Sequence, residues 1–411
     1  MLSIDYYKET KDYWLTNLFE QLKTPVLLRV DLNIPLDDGK IMEDSPRIDV
    51  YANIISIMSE YAGLVVMTHQ GRPGRKDFVS LKQHKRALER KLGIDKSIEF
   101  VEYDDFFSEK TKRRIMNLEE NEILLYDNIR FLDEEFTFNP YNSKMIKFFK
   151  GIINTTVNDA MPTWHRANTS LMSLPYISEN VYVGLRSVYE LEILSKTKEH
   201  FENGDVGIVV GGAKVDKVKK YLPELARHSE IFTGGIPGQI VAKINGYDLG
   251  KENEYFISTH VDKIIFELFR EIVRKYKIHY PVDFVVSEAG EDKIYKVEDL
   301  WKSRDGVIMD IGPETVELYA EELQSKEIRI KGGPLGVYEK GYNNGSELVK
   351  RIAGYGLIFL GGDTASELVK NDLYSVIESV GGKICLSGGA FLHGLVGKRY
   401  PSIDEILKLK K

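Results

Sequence analysis

VGIVVGGAKVDKVKKYL (206–222) is the stretch that decides the fold. Its first residues are apolar and mostly β-branched, the composition of a short strand covered on both faces. A glycine pair then turns the chain into a lysine-rich helix. That is one strand–turn–helix unit of an α/β fold. The pattern recurs in VLLRV (26–30), LVVM (64–67), IEFV (98–101), ILLY (123–126) and IINTTV (152–157). It returns in IFT (231–233), FVV (284–286), GVIMDI (306–311), EIRI (327–330), LIFL (357–360) and KICL (383–386). Repeated units of this kind predict parallel sheets with helices on their faces.

At 411 residues the chain exceeds what one core usually organises, which predicts two domains. VGLRSVYELEILSKTKEHFENG (183–204) reads as a helix through Val188, Leu191, Ile193 and Leu194, and the boundary is expected near its start, giving domains 1–180 and 181–399. Lys plus Arg number 56 against 63 Asp plus Glu, a net charge of −7, so a surface that coats nucleic acid is excluded and any anionic ligand must meet a local cationic cluster. The single cysteine, Cys385, lies in an apolar run and reads as a buried core thiol; alone it forms no intramolecular disulfide. The opening MLSIDYYKET carries charges where a secretion signal needs an apolar stretch, and no run approaches a membrane span. A cytoplasmic protein without membrane partners is expected.

Open parallel sheets bind ligands at the carboxyl ends of their strands, and there the two halves differ. In the first half the tips DLN (31–33), THQGRP (68–73), DNIRF (127–131) and NDAMPTWHRANTS (158–170) supply Asp31, Asn33, His69, Arg72, Arg130, His165 and Arg166, with Arg47 nearby in sequence. Guanidinium forks suit phosphate and carboxylate oxygens, so a small, strongly anionic ligand is expected. Every Gly-Gly pair lies after residue 205, in GGAK (211–214), GGIPG (234–238), GGPLGV (332–337), GGDT (361–364), SGGA (387–390) and at 381–382. Such turns let backbone N–H groups approach a bulky anion at helix starts, which suits a nucleotide. Lys214 would stand at one such start. In GGDTASEL a capping box between Thr364 and Glu367 accounts for the threonine and is the stronger reading of the motif alone; Asp363 is less well explained by it, and a carboxylate beside a phosphate site usually holds Mg²⁺. P-loop, HRD, GxSxG and HExxH motifs are absent, and the one GxG has Phe359 where the dinucleotide fingerprint wants glycine.

Taken in order, RVDLNIPL, DSPRID, THQGRPG, LLYDNIRFLDEE, VNDAMPTWHRANTSL, VVGGAKVDK, FTGGIPGQI, DIGPET, GGPLGVYE, FLGGDTA and SGGAFLHGLVGKRYP resemble the signatures of the phosphoglycerate kinase family over nearly the whole chain. The resemblance implies two Rossmann-like lobes joined by a hinge helix, with residues 400–411 returning to the first. It implies 3-phosphoglycerate on the N-terminal lobe, held by Asp31, Asn33, Arg47, His69, Arg72, Arg130, His165 and Arg166. It places Mg-ATP or Mg-ADP on the second, along Gly211, Gly212, Lys214, Lys217, Gly234, Gly235, Pro334, Gly336, Val337, Glu339 (on the ribose), Gly361, Gly362, Asp363 (on Mg²⁺) and Thr364. Arg47, Lys214 and the N–H groups at Gly362 and Gly388 would surround the moving phosphoryl group, assembled by lobe closure. The implied activity is reversible transfer between 1,3-bisphosphoglycerate and ADP in glycolysis or gluconeogenesis, by a monomer or homodimer.

The chain departs from the family pattern at four places. Val218 stands where a second lysine is common, leaving Lys217 or Lys219 as substitutes. Lys331-Gly332 replaces Trp-Asn, with the Lys331 charge expected to stand in for the lost amide. Leu386, Ser387 and Phe391 alter the closing glycine loop, and Asn168 replaces a histidine. Two further readings follow from these changes: a kinase of the same fold for another small phosphorylated carboxylate, and a catalytically weak nucleotide-binding paralogue.

Overall fold

A computed structural model describes residues 5–15, 19–93, 96–212, 219–303 and 305–409. Lys214, Lys217 and Val218 lie outside the described residues, as does the side chain of Asp363. The chain divides into two compact units, Met1–Ser195 with Gly397–Lys411, and Lys196–Val396.

The first unit is built on a six-stranded sheet ordered Ile98–Val101, Ile123–Tyr126, Leu64–Met67, Val26–Val30, Thr155–Asp159, Asn180–Val183. All its pairings are parallel. Val26–Val30 is central and buried at every position, as a strand covered on both faces must be. The helix Pro46–Ser59 opens on a proline whose fixed φ suits a first turn, and it lays Ile48, Tyr51, Ile55 and Met58 into the core beside Leu28, Val30 and Val66. Each such aliphatic side chain contributes roughly 1.5–3 kcal/mol by leaving water, so the sheet is held by packing and the strand ends are left to loops. The C-terminal helix Pro401–Leu409 packs on Thr169–Met172 and Leu174–Ile177, and Tyr6 donates its hydroxyl to Asp404 at 2.7 Å.

The helix expected after residue 183 runs Leu185–Glu202, and the division between units falls within it, C-terminal to residue 180. Asp159, at the tip of its strand, caps the start of this helix by accepting from Ser187 N at 2.7 Å and Arg186 N at 3.3 Å.

The second unit carries a parallel six-stranded sheet ordered Ile278–His279, Glu230–Thr233, Val206–Val210, Ile328–Gly332, Leu357–Leu360, Lys383–Cys385. Cys385 is buried, as its apolar run suggested. The runs FVV and GVIMDI do not join this sheet, contrary to the all-parallel expectation. They form a separate antiparallel sheet, Glu291–Lys296, Asp283–Glu288, Val307–Ile311. The cause is local: Ala289 (φ 52°) and Gly290 (φ 85°) make a two-residue turn with both central residues left-handed, which folds Glu291–Lys296 straight back on Asp283–Glu288. Glu291–Lys296 was not expected as a strand because its sequence, EDKIYK, is that of an exposed edge.

Candidate active site

In the first unit the expected cationic residues meet at the carboxyl ends of the strands. Asp31 follows Val26–Val30, accepts from Asn33 N at 3.0 Å through Oδ1, and lies 3.3 Å from Arg47 Nη1. Asn33 Oδ1 in turn accepts from Gly71 N at 2.8 Å, which ties the first strand tip to the GRP loop. Other tip residues brace this arrangement. Asn128 accepts from Gln70 N at 3.1 Å, Thr68 accepts from Leu32 N at 2.8 Å, and Asp127 accepts from Leu81 N at 2.7 Å. Rigid tips of this kind are what anion recognition requires.

Arg72, Arg130 and Arg166 line a cleft of about 560 Å³ together with Pro73, Phe136, Ala167 and Asn168. Arg72 is exposed, Arg166 half-buried and Arg130 buried, and Arg130 Nη1 donates to the Gly71 carbonyl while its Nε is buried without a hydrogen-bond partner. Burial, with the nearby Arg166 and Arg29 charges, brings the Arg130 guanidinium down to about 10. A buried donor in a field of like charge is a site that an anion relieves. His165 lies beside Arg166, its Nε2 3.3 Å from Arg166 Nε. Asn168, at the position of the replaced histidine, donates to the Glu135 carbonyl at 3.0 Å and still lines the cleft.

Sequence reasoning missed Arg29. It is 1% exposed, donates from Nε to Ser170 Oγ at 2.9 Å, and places Nη2 3.0 Å from His69 Nδ1. Glu135, also fully buried, balances it and accepts from Ser170 N and Oγ at 2.8 Å. A charged residue inside the otherwise apolar run VLLRV was the available signal. His69 sits among Arg130, Arg29, Arg166 and Arg47; burial first, then these charges, hold its imidazole well below the ordinary range. It is therefore a neutral hydrogen-bonding group, its Nδ1 accepting from Arg29.

In the second unit the glycine pairs follow the strands as expected, but much of their hydrogen bonding is internal. Gly211 N donates to Gly332 O at 2.9 Å, Gly212 N to Pro334 O at 2.6 Å, Gly235 N to Leu335 O at 2.9 Å and Gly361 N to Cys385 O at 2.8 Å. The loops after neighbouring strands thus lie backbone against backbone. At Gly333 (φ +81°) a Cβ would come within 2.4 Å of the Gly211 carbonyl. Gly388 (φ +44°) packs its α-carbon side against Gly361, so the GGDT and SGGA turns abut. The helices Gly362–Lys370 and Gly389–Leu395 begin there. Gly336 lies against the Asp310 carboxyl group, and Val337 N donates to Met309 O at 2.8 Å; Glu339 is exposed.

Two expectations are overturned here. The capping box at Thr364 does not form: the N-cap is Gly361, whose φ of 103° is open to glycine, and Thr364 Oγ1 accepts instead from Gly333 N at 3.2 Å. Glu367 is engaged elsewhere, with its Oε2 2.6 Å from Lys331 Nζ. Lys331 accordingly offers no charge to a ligand. It is fully buried, with Nζ also donating to the Gly333 carbonyl at 3.1 Å and lying 4.7 Å from the centre of the Phe359 ring. Asp310 nearby accepts from Ile311 N and Asn344 N, yet burial and the Glu367 charge raise its carboxyl group to about 7.

Two α/β units, one with an arginine cleft and one with abutting glycine loops at the carboxyl ends of its strands, define a class of protein suited to small anions and phosphate groups at those ends. The sequence model of the phosphoglycerate kinase family matches residues 18–398. The chain is 28% identical over 404 residues to the phosphoglycerate kinase of Sulfolobus acidocaldarius, covering 95% of this chain and 94% of that protein. It is 31% identical over 396 residues to that of Methanopyrus kandleri, covering 93% and 94% respectively. The crystal structure of the phosphoglycerate kinase from Pyrococcus horikoshii OT3 matches with a TM-score of 0.84 at 28% identity, over 97% of this chain and 99% of that one. The chain belongs to the phosphoglycerate kinase family.

Proposed function

We propose that the chain is a kinase that transfers a phosphoryl group reversibly between 1,3-bisphosphoglycerate and ADP, giving 3-phosphoglycerate and ATP. The observation that carries this reading is the arginine cleft of the first unit, where Arg130 holds a buried donor beside Arg72 and Arg166. These guanidiniums would take the phosphate of phosphoglycerate. Asp31, Asn33 and neutral His69 would orient its hydroxyl and carboxylate, with His165 completing the rim and Arg47 neutralising the reacting carboxylate end. In the direction of ATP use, a carboxylate oxygen of 3-phosphoglycerate attacks the γ-phosphorus and the bond to the β–γ bridging oxygen breaks, releasing ADP. No proton need move, which suits a site whose histidine is held neutral. Positioning and charge neutralisation supply the catalysis.

On the second unit the nucleotide would lie along the loops of Gly211, Gly212, Gly234, Gly235 and Pro334–Val337, with Glu339 at the ribose. Lys214, aided by Lys217, and the N–H groups at Gly362 and Gly388 would meet the phosphates with Thr364 at the helix start. Asp363 would hold Mg²⁺. One carboxylate at the start of a helix suits an ion that shares phosphate oxygens and water rather than a closed protein cage. Among the described residues no three His, Cys, Asp or Glu side chains gather for a metal. When bound, Mg²⁺ supplies charge neutralisation on the β- and γ-phosphate oxygens.

No helix among the described residues is long and apolar enough to cross a membrane, and a cytoplasmic enzyme is the matching location. Coupled turnover tests the reading. NADH oxidation by glyceraldehyde-3-phosphate dehydrogenase is expected only when 3-phosphoglycerate, ATP and Mg²⁺ are all present.

A further inference from the structure

Lys331 is the penultimate residue of the strand Ile328–Gly332, where its neighbours in the sheet are the apolar Val209 and Phe359. A lysine there must surrender its water, and its buried pairing with Glu367 recovers that loss only in good geometry. An apolar pair of similar volume often fills such a space with little loss of stability. What such a pair could not do is hold the peptide at Gly333. The Gly333 carbonyl accepts from Lys331 Nζ, and its N–H donates to Thr364 Oγ1. Thr364 and Glu367 stand three residues apart on one face of the helix Gly362–Lys370. Both polar groups of Gly333 are therefore bound, directly or through one lysine, to that single helix face. On its other side Gly333 is pressed against the Gly211 carbonyl. The peptide that opens the Pro334–Val337 segment is fixed from both sides.

We propose that Lys331 and Glu367 form a positioning pair, which sets the Gly333–Val337 loop in register with the GGDT helix start so that the two present one surface to a nucleotide. Neither side chain touches the nucleotide; both act through Gly333 and Thr364. The inference rests on the reading that these loops bind a nucleotide, and it assigns a task to the Lys-Gly replacement that the charge itself, being buried, cannot perform at the ligand.

The test uses the full chain and three variants, Glu367→Gln, Lys331→Met and the double Lys331→Met/Glu367→Met, each measured by calorimetric titration with ADP, by thermal unfolding and by steady-state kinetics. The single variants leave a buried charge or its partner stranded and are expected to melt earlier. The double variant is expected to recover most of the melting temperature, yet to bind ADP roughly tenfold more weakly, the loss of about one charge-assisted hydrogen bond. The KM for ATP should rise while that for 3-phosphoglycerate stays within error. A double variant with wild-type melting and wild-type ADP affinity overturns the positioning role. If the double variant fails to fold, Glu367→Gln at temperatures below its melting decides: unchanged ADP affinity overturns the proposal, and weakened ADP affinity with unchanged 3-phosphoglycerate KM supports it. Absence of ADP binding by the wild-type chain would instead sink the nucleotide reading on which the inference stands.

Discussion

Arg29 Nη2 lies 3.0 Å from His69 Nδ1, with both side chains buried at the carboxyl ends of adjacent strands. The contact makes Arg29 an internal support of the cleft and fixes His69 as a neutral acceptor. The exposed Arg72 and half-buried Arg166 line the cleft, while Arg29, Ser170 and Glu135 bond to one another in the interior.

Arg72→Ala should therefore weaken 3-phosphoglycerate binding roughly 10- to 100-fold, the value of one charge-assisted contact. ADP affinity should stay close to wild type, because the glycine loops belong to the other unit. Calorimetric titration of each ligand checks this. Equal losses for both would contradict the division of labour.

Lys214→Ala should lower kcat by about 10²–10³, since the role proposed for its charge is neutralisation in the transition state. Its unfolding free energy from urea titration should stay within roughly 0.5 kcal/mol of wild type. Normal turnover would remove the catalytic assignment.

His84 offers a pH signature of the loop that carries Asp31 and Asn33. Its Nε2 lies 3.0 Å from Gln70 Oε1, and Gln70 holds both backbone groups of Ile34. Burial brings this imidazole down to about 4 from its ordinary 6.5. The unfolded chain then takes up a proton below pH 6.5 that the folded chain refuses, so stability is lost as pH falls from 6.5 toward 4. The slope is about 1.4 kcal/mol per pH unit for one group. Asp159 and Asp310, whose carboxyl groups are raised to about 6 and about 7, act with the opposite sign over that range. The clean measure is the difference between wild type and His84→Gln by urea unfolding at several pH values. Relative to His84→Gln, the wild type should lose about 1.4 kcal/mol of stability per unit as pH falls from 6.5 toward 4, and a difference that does not change with pH would contradict it.

Much of the cleft was legible in the sequence because its residues follow the strands directly. DLN, GRP, DNIRF and WHRA each sit where a parallel sheet presents its loops, and the structure brings Asp31, Asn33, Arg47, Arg72, Arg130 and Arg166 to that end of the first sheet. The illegible part was tertiary pairing. Arg29 in VLLRV and Lys331 in EIRIK are charges placed inside strands, and their partners Glu135 and Glu367 lie far along the chain or on another element. Local capping rules assigned Glu367 to Thr364, whereas the buried lysine across the loop claimed it. The antiparallel sheet was hidden for another reason: its edge strand EDKIYK has no apolar run to mark it, and only the Ala289-Gly290 turn betrays the hairpin.

The central claim is phosphoryl transfer to 3-phosphoglycerate. Its most direct measurement is kcat/KM for that acceptor with Mg-ATP, read as ADP formation through pyruvate kinase and lactate dehydrogenase and run beside 2-phosphoglycerate, glycerate and other small phosphorylated carboxylates. Mg²⁺-dependent turnover with 3-phosphoglycerate is expected well above that with every other acceptor. No turnover from folded protein that still binds ADP, or a stronger signal with another acceptor, would contradict it.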